Sequence, residues 1–184
     1  MKKNLLFSLF AVSALILSGC SDDKDVDNQK PVVKIISPSE DEVLKPGSEI
    51  QFDVELSDND ALATYKVNIH GAFDGHTHSD TRSEEVDDTE ESVEFSRNWT
   101  EADFVKQGET PIIGKNSVHI QHSLMTIPET VSIKKDGVTK DMPLKEGHYH
   151  IIVYCTDKSG NESFEAKDIV ISYDGEDHDH EHEH

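Results

Sequence analysis

Between Glu49 and Leu56 the side chains alternate without a break, with Ile50, Phe52, Val54 and Leu56 set against Gln51, Asp53 and Glu55. A period of two belongs to a strand with one buried face. The pattern returns at Tyr65, Val67 and Ile69 against Lys66, Asn68 and His70, and again at Tyr149, Ile151, Val153 and Cys155. A chain built on this repeat must stack sheets to hide the apolar faces, which restricts it to all-β architectures.

Further strands are expected over 32–36, 62–70, 92–100, 118–127, 148–156 and 164–173, with a short helix over 101–107. Lys45-Pro46-Gly47, Ser57-Asp58-Asn59-Asp60 and Lys158-Ser159-Gly160-Asn161 supply turns, and Asp136-Gly137 suits a hairpin tip that needs positive φ. About seven strands with these connections predict an immunoglobulin-like two-sheet sandwich over residues 31–173, a barrel being the rival. Gly147-His148-Tyr149 leading into a strand, then Thr156 to Asn161, resembles the last hairpin of bacterial immunoglobulin-like domains. Tyr149 stands where those domains place a corner tyrosine.

The start of the chain has a different character. Lys2 and Lys3 precede an apolar run from Leu5 to Leu17 that is too short to span a bilayer, and Leu17-Ser18-Gly19-Cys20 follows. This resembles a bacterial lipoprotein signal. The resemblance implies a leader over 1–19, cleavage before Cys20, and acylation of Cys20 as the membrane anchor. An ordinary secretory signal with a chance cysteine is the alternative. Residues 20–30 form an acidic linker, and Ser21-Asp22-Asp23-Lys24-Asp25 resembles the export signal of Bacteroidetes surface lipoproteins. The expected location is the outer membrane with display at the cell surface, the periplasmic face being the other choice.

Charge narrows the partners. The 38 acidic residues outweigh 17 basic ones, for a net charge of −21. Nucleic acid and anionic headgroups are thereby disfavoured, while cations, basic proteins and neutral glycans stay open. With Cys20 acylated, only Cys155 remains. Its alternation with Tyr149, Ile151 and Val153 marks it as a small buried hydrophobe rather than a nucleophile.

The eleven histidines are the chemical signal. His70, His76 and His78 cluster with Asp74, and His148 and His150 open a strand. His76-Thr77-His78 and His148-Tyr149-His150 each place two imidazoles on one face of extended chain, about 6.6–6.8 Å apart, a spacing that suits one shared ion. Solvent-facing histidines are the plain alternative for each pair. In an immunoglobulin-type sandwich the third and sixth strands are antiparallel neighbours, which brings His70 beside His148 and His150 at one pole. His122 lies on a strand running toward that pole and reads either as a ligand or as a half-buried core residue. His119 should face solvent.

Tyr65 to His70, Phe73 to His78, Ile127-Pro128, and Gly147 to His150 through Asp157 to Asn161 together resemble a family of Bacteroidetes lipoproteins with an uncharacterised immunoglobulin-like domain. The resemblance covers most of 31–173. It implies the sandwich and the joint occurrence of these segments, and it carries no activity. Residues 129–145 depart from it as extra length.

The tail over 174–184 alternates His178, His180, His182 and His184 with Asp and Glu. It reads as a disordered collector for a borderline divalent ion, against a solubilising acidic tail or an expression tag. Imidazole with carboxylate suits Zn(II) first, with Cu(II) or Ni(II) as the other candidates. Met125 and Met142 do not cluster as Cu(I) would require.

Three functions follow. The first is a metal-binding surface lipoprotein that captures or stores zinc, or delivers it to an outer-membrane metal transporter. The second is a metalloenzyme such as a superoxide dismutase-like protein, disfavoured because no general base stands out. The third is an adhesive module for a glycan or protein, for which Trp99 is the single tryptophan and a thin platform.

Overall fold

The computed structural model describes residues 27–73 and 92–176. Cys20, the leader, the loop with Asp74, His76 and His78, and the tail with His178, His180, His182 and His184 lie outside them. Among the described residues no helix is long and apolar enough to cross a membrane.

Among the described residues the chain forms ten strands and one short helix, against the about seven strands expected. β1 (Val32–Ser37), β3 (Glu49–Ser57) and β6 (Ser117–Thr126) make one sheet in the order β1-β3-β6. β2 (Glu42–Leu44), β4 (Leu62–Gly71), β5 (Arg97–Thr100), β9 (Gly147–Asp157) and β10 (Glu162–Ile171) make the other, in the order β2-β10-β9-β4-β5. The layout is that of an immunoglobulin-type sandwich, in which the first strand contributes to both sheets. Here β1 pairs antiparallel with β3, and β2, past Pro38, joins β10 in parallel.

The additional strands have local causes. β2 has three residues and no readable period, and it exists because β10 offers it an edge. β7 (Thr130–Lys135) and β8 (Val138–Pro143) pair as a separate two-stranded sheet, which accounts for the extra length at 129–145. Its tip is the expected Asp136-Gly137, with φ of 50° and 81°. β5 starts at Arg97 rather than at residue 92. α1 (Glu101–Val105) is shorter than expected, and begins where the Asp103 carboxylate accepts from the Thr100 backbone N–H and hydroxyl. Those donors, with Lys106, bring the Asp103 pKa down to about 2.

The alternation does what the sequence implies. Along β3 the buried residues are Ile50, Phe52, Val54 and Leu56, and they face Tyr65, Val67 and Ile69 of β4 across the core. Each such side chain adds about 1.5–3 kcal/mol on burial. Phe104 of α1 stacks on Tyr65 at 5.7 Å and on Phe52 at 6.5 Å, which seats the helix over one end of the sandwich. Trp99 is buried against Phe95 under the Arg97 guanidinium, and presents no exposed platform. Cys155 is fully buried, and burial pushes its thiol up to about 12.

Tyr149 closes the corner. Its hydroxyl donates to Lys145 O at 2.7 Å and accepts from the Phe95 N–H at 3.3 Å. That bond back to the residue four upstream is the tyrosine-corner arrangement of these folds.

Candidate metal centre

The histidine pole is built by strand register. β4 and β9 run antiparallel, and His70 pairs directly with His150. β9 and β10 are joined by a tight hairpin, and His150 pairs in turn with Asp168. Inward residues of β4 and β9 fill the core, so His70, His150 and Asp168 form a row on the outer face of the five-stranded sheet. His148 is exposed two residues along β9 on the same face.

Within the row the imidazoles are close and oriented. The two ring centroids lie 5.5 Å apart with planes at 43°. One zinc at about 2.1 Å from a nitrogen of each ring, subtending a tetrahedral angle, would set the centroids about 5.2 Å apart. His150 Nδ1 faces Asp168 Oδ1 at 2.7 Å, and His70 Nδ1 faces Asn68 Oδ1 at 2.5 Å. The Asn68 amide is held by donating to Asn98 Oδ1 at 2.9 Å. Both contacts favour the tautomer with hydrogen on Nδ1 and the ligating lone pair on Nε2, the usual role of a carboxylate or amide behind a metal-binding imidazole.

Further carboxylates flank the row. Glu40, Asp41 and Asp168 bring ligand oxygens within 4.8 Å of one another, and the Asp41 N–H donates to Asp168 O at 2.9 Å. Sequence reasoning did not single out these three carboxylates. The signal for Asp168 was present: counting equal steps outward from the hairpin tip at Ser159 pairs residue 150 with residue 168.

The chain leaves this pole toward the undescribed loop. The Ala72 N–H donates to His148 O at 3.0 Å, extending the β4–β9 pairing. Phe73 then lies edge-on to Tyr149 at 5.3 Å, under the Lys145 ammonium. A Cβ on Gly71 or Gly147 would come within 2.7 or 2.8 Å of the Phe73 ring, so these two glycines make its seat. The segment with Asp74, His76 and His78 begins one residue later.

His122 is placed elsewhere. It lies midway along β6 opposite Phe52 and faces inward, between the rings of Phe52 at 4.9 Å and Phe104 at 4.6 Å. Its Nε2 is enclosed without a partner, and burial draws its pKa below the usual value against an opposing pull from Glu109. Tyr65, stacked on the same Phe104, is five residues along β4 from His70, which is about 17 Å of strand. The structure thus joins His70 to His150 and leaves His122 apart from them. His119 is on the outer face, paired with Asp53 at 2.6 Å.

No curated protein matches the chain. Residues 18–172 match the family model described as Domain of unknown function (DUF4625), and the chain belongs to that family.

Proposed function

We propose that this protein is a surface-anchored lipoprotein, tethered through Cys20, that binds a divalent transition metal for capture, storage or delivery to a transporter. Zinc is the first choice and copper the second. The observation that carries the reading is the cross-strand pair His70–His150, 5.5 Å between centroids, with Asp168 behind His150. His148 is the adjacent ligand, and His76, His78 and Asp74 belong to the loop that departs from the same pole. The described part of the chain also finishes near this end, where β10 ends opposite Gly147 and Lys45 Nζ donates to Asp174 O. Ligation needs neutral imidazole, so affinity falls as the pH is lowered.

The test is competitive zinc and copper titration of the chain from residue 20, with and without residues 174–184, beside His70→Ala and His150→Ala. Stoichiometric binding that survives loss of the tail and fails in both variants supports the reading. Binding that vanishes with the tail alone would leave the folded domain without a metal role and favour an adhesive module. Superoxide turnover by the metal-loaded chain would move the protein to the enzymes.

A further inference from the structure

The opposite pole of the sandwich holds a second group of ligands. Asp58 follows the end of β3, Asp157 ends β9, and Asp27 comes from the segment before β1. Their ligand oxygens all lie within 4.8 Å of one another, with Asp157 buried and Asp27 and Asp58 partly so. No nitrogen or sulfur ligand takes part.

A cluster of carboxylates alone would mean little, but two of these oxygens are orphaned. On Asp27, Oδ1 accepts from the Gln29 N–H at 3.0 Å and from Asn59 Nδ2 at 3.1 Å. On Asp58, Oδ1 accepts from the Asp60 N–H at 3.0 Å. In both residues Oδ2 has less than 1 Å² of exposed surface and no hydrogen-bond partner. An enclosed carboxylate oxygen that no protein donor reaches is unfavourable. Among the described residues no Lys, Arg or His is ion-paired with any of the three.

The Asp157 carboxylate is held in place by the β9–β10 turn, its Oδ1 accepting from the Asn161 N–H at 2.8 Å. Asn161 Nδ2 donates both to Asp157 Oδ2 at 2.7 Å and to Asp27 O at 3.1 Å, tying the N-terminal segment to the β9–β10 turn.

We propose that Asp27, Asp58 and Asp157 form an all-oxygen calcium site that clamps the segment before β1 onto the pole opposite the histidines. Calcium binds oxygens at 2.3–2.6 Å, so two ligands of one ion stand up to about 4.6–5.2 Å apart, a span that contains this cluster. Magnesium demands tighter octahedral geometry and keeps several waters, for which oxygens this enclosed leave little room. The ligand set differs in residues, in chemistry and in place from the histidine row, so the two proposals stand or fall separately.

The test uses the chelator-stripped full chain with CaCl2 or MgCl2, read by thermal unfolding, calorimetric titration and limited proteolysis of residues 20–30. Calcium should raise the melting temperature by several degrees and slow cleavage of that segment, with magnesium much weaker. Asp58→Asn should lower calcium affinity at least tenfold, and without calcium it should melt at or above wild type, since one of three facing charges is gone. Asp27→Asn lies outside the strands and covers the case in which Asp58→Asn fails to fold. It should lose the calcium-dependent protection while the domain stays folded. A calcium shift absent from wild type, or undiminished in both variants, would overturn the site; the latter would place the ion on Glu40, Asp41 and Asp168 or on the tail.

Discussion

Replacing Asp168 with Asn preserves the shape of β10 and removes the carboxylate that faces His150 Nδ1 at 2.7 Å. Loss of a carboxylate behind a metal-binding imidazole lowers affinity about 10–100-fold, or about 1.4–2.7 kcal/mol. The Asp168 side chain keeps 47 % of its exposure against 21 % for His150, so water and salt screen the pair. The expected loss in Asp168→Asn is therefore near the lower end, about tenfold. Stability should change little, because an exposed pair of this kind contributes about 0–1 kcal/mol. The assay is zinc competition against a chromophoric chelator on the chain ending at residue 173, so that the tail does not buffer the metal. His150→Ala, measured alongside, should lose more than Asp168→Asn does. Equal zinc affinity in all three proteins would refute the reasoning, since neither the ligand nor its support would then matter.

Other expectations concern the frame that holds this row. Tyr149→Phe strands the buried Phe95 N–H and Lys145 O, and should destabilise the domain by about 1–3 kcal/mol in urea unfolding; an unchanged midpoint would mean the corner bond is idle. His122 has its folded pKa below the unfolded value of about 6.5, so below that pH the unfolded chain takes up a proton the folded chain refuses. Its contribution is complete above about pH 6.5 and is lost as pH falls, and His122→Phe should flatten the decline in stability from pH 7 to 5 in metal-free buffer. Parallel declines in both proteins would assign the acid sensitivity to other groups. Cys155, buried with its thiol pushed up to about 12, should resist a thiol reagent at pH 8 and react on unfolding. Rapid labelling of the native chain would contradict the packing.

The sequence made some of this arrangement readable and hid the rest. Strict alternation exposed β3, β4 and β9, because one face of each lies against the core. The His70–His150 pairing followed from the neighbouring third and sixth strands of such sandwiches. By contrast, β2 is created by its partner, and three residues carry no period to detect. Val131 and Ile133 of β7 sit in a stretch rich in charge, so only the Asp-Gly tip announced that hairpin. His122 was ambiguous because Val118, Ile120 and Leu124 share its parity, and the rings of Phe52 and Phe104 that hold it come from distant segments. Asp27 was read as part of an acidic spacer, since nothing local tells a solvated carboxylate from one folded under Asn161.

The two poles also fix how the fold would bear a mechanical load. β1 enters at the aspartate pole, where Val32 pairs with Ser57, and runs toward the other end against β3. A pull between the N-terminal segment and anything gripping the histidine end acts along β1. The ladder bonds lie across that direction. They would be strained together, in shear, rather than opened one after another from an end. Such geometry lets a short strand of six residues hold against force that would peel the same strand apart if it entered from the opposite pole.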